Sequence, residues 1–195
     1  MGATGIRRQG RAMRIVGGEL KSRIIKIPKT GNLRPSTEKI RAAIFSVLGD
    51  DINEARVADL FCGSGALGLE ALSRGASFAL FVDSSAVAVS TVKSNLQELD
   101  LSSRAELRAM NVFHIRPKKL EGISIIFADP PYGKGYGDRL ISLLCLKNFA
   151  VRGILVLEHE AAWSYVDTRG VILKRLDFGD SSVTFLKIPA QSDPI

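Results

Sequence analysis

The chain has 195 residues, 46% of them hydrophobic and 24% charged, which suits one globular domain with a sizeable core rather than a disordered or fibrous chain. No apolar run approaches the ~20 residues of a membrane span, and two cysteines, Cys62 and Cys145, are too few for a disulfide framework or a metal cluster, so neither membrane nor metal is expected. The net charge of +7 is unevenly placed: residues 1–41 hold eleven Lys or Arg against only Glu19 and Glu38, while the rest of the chain carries a net −2.

Such a basic arm suits a polyanionic partner, because each cation that neutralises a phosphate releases condensed counterions. Arg7, Arg8 and Arg11 are not followed by an apolar stretch and do not read as a secretory signal, so a reducing cytoplasm is expected and residues 1–13 are set aside as a leader. Arg14 to Pro28 alternates loosely around Gly17-Gly18 and predicts a short hairpin. A helix follows, opened by Pro35 and Ser36, with Ile40, Ala43, Ile44, Val47 and Leu48 at three-and-four spacing and Gly49 at its end. Residues 14–49 form an N-terminal extension and 50–195 the main domain.

From Ala55 apolar runs of strand length alternate with helical stretches. Strands are predicted over Arg56 to Phe61, Phe78 to Asp83, Ala105 to Val112, Ile123 to Ala128 and Gly153 to Glu158. Helices are predicted over Leu67 to Arg74, Ala86 to Leu99 and Asp138 to Leu146. This alternation means βαβ units and a parallel, doubly wound sheet. Val171 to Leu176 and Val183 to Ile188 are separated by Gly179-Asp180-Ser181 with no room for a helix, so they close the chain as an antiparallel hairpin. Ligands of such sheets bind at the carboxyl ends of the strands.

Two constellations sit there. Asp59-Leu60-Phe61-Cys62-Gly63-Ser64-Gly65-Ala66-Leu67-Gly68 is a strand ending in a glycine turn that opens into a helix, where backbone can approach a ligand and free N–H groups point at it. Fifteen residues on, Asp83 ends the next strand, where a carboxylate can bind the two hydroxyls of a ribose. Together they specify a nucleoside cofactor, equally a nicotinamide or an S-adenosyl one. Asp129-Pro130-Pro131-Tyr132 decides between them. Two prolines force the chain out of the sheet in an extended, rigid form, which presents the Asp129 carboxylate and the Pro130 carbonyl as two acceptors beside the Tyr132 ring. An exocyclic amine is a poor nucleophile until its two N–H bonds are held and its lone pair is aimed, and an aromatic face can stack on the base that carries it.

The glycine loop and the Asp129–Tyr132 signature resemble those of the class I methyltransferases that act on amino groups. More narrowly, Arg14-Ile15-Val16-Gly17-Gly18, Leu33-Arg34-Pro35-Ser36-Thr37, Arg41 and the stretch Asp59 to Ala71 resemble the bacterial family that methylates N2 of a guanine in 16S ribosomal RNA. The resemblance implies an α/β, Rossmann-like fold with a seven-stranded, mostly parallel sheet ending in an antiparallel hairpin, a small N-terminal hairpin-plus-helix, and S-adenosylmethionine as methyl donor. It further implies 16S RNA or the assembling 30S subunit as partner, with no need for more than a monomer. By carry-over, Thr37, Asp59, Phe61, Gly63, Ser64, Gly65, Gly68, Asp83 and Asn111 would hold the cofactor, and Asp129 to Tyr132 the guanine. Arg14, Arg34 and Arg41 would reach the RNA. Asn111 stands where relatives often have an acid, and capping its own loop is an equally good account of it. His114, His159, Trp163 and Tyr165 are read as structural. Left open by the residues themselves are adenine N6 in DNA or a protein amide as acceptor, a nicotinamide oxidoreductase, and a non-catalytic RNA-binding protein.

Overall fold

The computed structural model describes residues 13–28, 37–146, 153–164 and 170–188. Arg34, the predicted helix-opening Pro35 and Ser36, and Tyr165 lie outside them. Strands β1 (Met13–Arg14) and β2 (Ile24–Ile25) pair as the expected hairpin. Helix α1 (Glu38–Leu48) starts at Thr37, whose hydroxyl accepts the Ile40 N–H at 3.3 Å, and it buries a stripe of Ile40, Arg41, Ile44, Phe45 and Leu48. Then follow β3 (Arg56–Leu60), α2 (Ala66–Ser73), β4 (Phe78–Asp83), α3 (Ala86–Glu98), β5 (Ala105–Ala109), β6 (Ile125–Ala128), α4 (Tyr136–Leu144) and β7 (Gly153–Glu160). Strands β8 (Val171–Phe178) and β9 (Ser181–Ile188) close the chain.

Strands β3 to β9 form one seven-stranded sheet in the order β5-β4-β3-β6-β7-β9-β8, parallel from β5 to β7 and antiparallel beyond. The chain runs outward from β3 in both directions, so the crevice between the ends of β3 and β6 is the switch point where an open α/β sheet binds its ligand. Two apolar layers cover the sheet. One gathers Val57, Phe81, Phe127, Val156 and Phe185 under α1, α2 and α3, with Phe45 against Phe127 at a ring separation of 5.6 Å; the other gathers Leu60, Leu80, Ile126 and Leu157 under α4. Each fully buried phenylalanine in these layers contributes about 1.5–3 kcal/mol. No helix among the described residues is long and apolar enough to cross a membrane.

The N-terminal hairpin is part of this core. Met13, set aside with the leader on sequence grounds, is buried, pairs with Ile25, and receives the Ser64 hydroxyl on its sulfur at 3.8 Å. All eight residues of α2 are buried because the hairpin covers the face that the sheet does not. Glu70 of α2, fully buried, accepts the Val16 and Gly17 N–H groups at 2.7 Å each and the Arg74 guanidinium at 2.8 Å. Arg41 stands 4.0 Å from the same carboxylate and donates to the Arg14 carbonyl at 2.6 Å. The expectation that Arg41 reaches RNA is corrected here: at 1% exposure its guanidinium is used to bolt α1 to the hairpin. Arg14, by contrast, is exposed.

Candidate active site

The glycine loop is shaped by the acids at its two sides. Asp59, at the end of β3, accepts the Gly68 N–H at 2.9 Å. Asp83, at the end of β4, accepts the Gly63 N–H at 2.9 Å on one oxygen and the Ser85 N–H at 2.8 Å on the other. Each Asp83 oxygen keeps a second lone pair, so the clamp leaves acceptors for a ribose. Gly65 caps α2 at φ 75°, in the left-handed region, and Gly68 lets the helix lie on β4: a methyl group there would meet Phe81 Cε1 at 2.3 Å. Gly68→Ala is expected to cost about 1–3 kcal/mol through overpacking. Helix propensity alone favours alanine by about 1 kcal/mol, so a rise in melting temperature instead of a fall would refute the clash.

Burial pushes the Asp59 carboxyl up to about 8, against the opposing hydrogen bond from Gly68 and with further help from the Asp83 charge. In the unfolded chain it titrates near ~3.9. Between these values the folded protein holds a proton that the unfolded chain lacks, so stability falls as pH rises across the window and levels off above it. Asp59→Asn keeps an acceptor for Gly68 and removes the proton. Urea midpoints measured from pH 5 to 8 should therefore lose part of their slope in this variant; the same slope in both proteins would show that Asp59 titrates normally.

Beside the loop, Phe61, Ser84, Asn111, Val112, Phe113, Pro131, Lys134 and Tyr136 line a cavity of about 180 Å³. That is below the ~300 Å³ at which pockets begin to house a whole ligand, so it suits one portion of a nucleoside cofactor, with the remainder along the open glycine loop. Phe61, held at φ 62°, stacks on Tyr136 at 6.0 Å and meets Phe113 edge-on at 5.8 Å. The Arg139 guanidinium lies 4.0 Å over the Phe113 ring. Asn111 caps its loop by accepting the Phe113 N–H at 3.0 Å, which leaves its NH2 group for the cavity. Of the carried-over cofactor residues, Phe61 and Asn111 line this cavity; Asp59, Gly63, Gly68 and Asp83 are joined by the loop's hydrogen bonds. Ser64 is tied to Met13, and Thr37 caps α1.

Asp129 to Tyr132 leave β6 next to this loop. Asp129 is half-buried, Pro130 buried, and Tyr132 38% exposed, enough to offer a ring face. Burial, then the Glu158 charge, then that of Asp59, hold the Asp129 carboxyl well above the usual carboxylate range. Glu158 was not anticipated as a site residue. Leu60, Ala128 and Leu157 are aligned across β3, β6 and β7, so Phe61, Asp129 and Glu158 occupy the next level. By alternation Asp129 shares the layer of Phe127 and Glu158 that of Val156. Phe113, Lys134 and Tyr136 were also missed; their only signal was aromatic and basic residues just beyond strand ends.

His159, buried, meets the Thr184 hydroxyl and the Glu160 carbonyl at 2.8 Å each, and the Trp163 indole donates to Asp138 at 3.2 Å, so both are structural as read.

A family model described as conserved hypothetical protein 95 matches residues 13–187. The chain belongs to this family. The ribosomal RNA small subunit methyltransferase D of Buchnera aphidicola (Acyrthosiphon pisum) is 33% identical over 78% of this chain and 80% of its own. The protein of the same name from Escherichia coli K12 is 35% identical over 68% and 66%. Among solved structures, a hypothetical protein of Thermus thermophilus superposes with a TM-score of 0.74 at 29% identity, covering 90% of this chain and 99% of that one. The fold is that of the class I methyltransferases, sheet and terminal hairpin included, as the sequence predicted.

Proposed function

We propose that this protein is an S-adenosylmethionine-dependent methyltransferase that methylates the exocyclic N2 of a guanine in 16S ribosomal RNA, as naked RNA or in the assembling 30S subunit. The observation that carries this reading is the exit of Asp129-Pro130-Pro131-Tyr132 from β6 beside a glycine loop clamped by Asp83. Relatives named as small-subunit ribosomal RNA methyltransferases support it. The glycine loop and Asp83 fit the methionine and ribose portions of the cofactor. The cavity, lined by Phe61, Asn111, Val112 and Phe113, would hold its adenine. When bound, the cofactor supplies an electrophilic sulfonium methyl.

Asp129 and the Pro130 carbonyl accept the two N–H bonds of guanine N2 and aim its lone pair at that methyl, while Tyr132 stacks on the base. Alignment and exclusion of water do most of the work, because the transfer moves one positive charge from sulfur to nitrogen and creates no new one, and it is discharged only when the proton leaves. The amine proton leaves afterwards to Asp129, whose elevated pKa makes it the better acceptor, or to water. Arg14, the basic residues at positions 1–12 and 29–36, including Arg34, and Lys134 and Arg139 at the cavity supply phosphate contacts.

The test is transfer of labelled methyl to 30S particles, naked 16S RNA and plasmid DNA, followed by nucleoside analysis. N2-methylguanosine is expected. N6-methyladenine would keep the chemistry and overturn the substrate, and no transfer to any of the three would overturn both.

A further inference from the structure

Guanine and adenine both present an exocyclic amine and differ in the group beside it. On guanine the N2 amine is flanked by a second donor, N1–H. On adenine the N6 amine is flanked by a bare acceptor, N1. A site that selects guanine therefore needs a second acceptor next to the one that holds the amine, and an acceptor-only group there sets lone pair against lone pair when adenine enters.

We infer that Glu158 is that second acceptor, reading guanine N1–H while Asp129 holds N2–H. The inference rests on the guanine-N2 reading above and makes it specific. Asp129, the first residue past β6, and Glu158 of β7 directly follow the paired Ala128 and Leu157, so continuing the register and the alternation from Phe127 and Val156 sets them side by side on one face. Glu158 is 6% exposed and fixed on β7, which pairs with β9 through Val183 opposite it, so its carboxyl belongs to the rigid sheet and not to a mobile loop. The two carboxyls are close enough that the charge of Glu158 is the largest charge effect on Asp129. Of the other carboxylates on this face, Asp59 lies two levels deeper and accepts the Gly68 N–H, and Asp83 of β4 clamps Gly63 and Ser85. A row of two acceptors matches the guanine edge and mismatches the adenine edge.

The experiment uses the full chain with S-adenosylmethionine and RNA substrates identical except at the target base, which is guanine or 2-aminopurine. The latter keeps the 2-amino group and has an acceptor in place of N1–H. Wild-type protein should prefer guanine by at least about 100-fold in kcat/KM, since a site built to bind an N–H strongly rejects the analogue that lacks it. Glu158→Gln, whose amide can donate to the 2-aminopurine N1, should narrow that preference to about 10-fold or less. Glu158→Asp should keep the preference at a lower rate. Wild-type protein that methylates both bases alike, or a Gln variant whose two rates fall together, would overturn the inference. If Glu158→Gln does not melt cooperatively, the wild-type preference and the Asp variant decide it. Absence of transfer to guanine by the wild type would instead overturn the functional reading itself.

Discussion

Asp129→Ala is expected to lower kcat for methyl transfer by about 100- to 1000-fold, the loss that follows when one preorganised acceptor or donor is removed from a reacting centre. Cofactor affinity should be unchanged, because Asp129 is not among the residues that line the cavity. Single-turnover transfer of labelled methyl measures the first quantity and titration calorimetry the second. Asp129→Asn keeps one carbonyl acceptor and should lose only about 10-fold. The pH dependence separates the two variants further. The ionised carboxylate is the stronger acceptor, and its pKa is raised by burial, Glu158 and Asp59. The wild-type rate should therefore climb with pH through a value above the ordinary carboxylate range, and this limb should vanish in Asp129→Asn. An alanine variant within a few-fold of wild type would remove Asp129 from the chemistry.

Glu70→Ala should be the most destabilising single change away from the site. It removes the larger of the two acid charges that act on the buried Arg41, Glu38 supplying the other, and takes the acceptor from two backbone N–H groups and from Arg74. Breaking a buried pair on one side costs about 3–5 kcal/mol, which for a chain of this size lowers the melting temperature by about 10 °C. Hydrogen exchange gives the sharper readout. The Val16 and Gly17 amides should lose protection in the variant while amides of the central strands β3 and β6 keep theirs; protection retained at Val16 and Gly17 would show that the hairpin docks without Glu70.

The sheet was legible because its signals are local. Phe78–Asp83 has the same bounds in the sequence reading and in the structure, and β3, β7 and the terminal hairpin differ by a residue or two at their ends. The same holds for the glycine loop and for Asp129 to Tyr132, where prolines and glycines state their backbone requirements in place. What was not legible depends on residues distant in sequence. An arginine in a basic segment looks like a phosphate ligand until a glutamate from another helix is found against it, which is the case of Arg41 and Glu70. Met13 carries no sign that Ile25 and Ser64 will enclose it. Glu158 ends an apolar strand as many solvent-facing acids do, and only the alignment of β6 with β7 sets it beside Asp129. Tyr136 stands two residues before the helix predicted from Asp138, with no local signal of a site, and its place against Phe61 follows from the loop that brings α4 back over the sheet.

Val16 waits for Glu70, Leu20 for Ser73 and Lys26 for Asn95, partners that lie 54, 53 and 69 residues downstream. Synthesis runs from the N-terminus at about 5–20 residues per second, so the hairpin, made before α2 and α3, spends roughly 3 to 14 s without a surface to rest on. During that interval its arginines and lysines are open to any polyanion near the ribosome. The hairpin is thus placed late, only after α2 and α3 have formed the wall it closes.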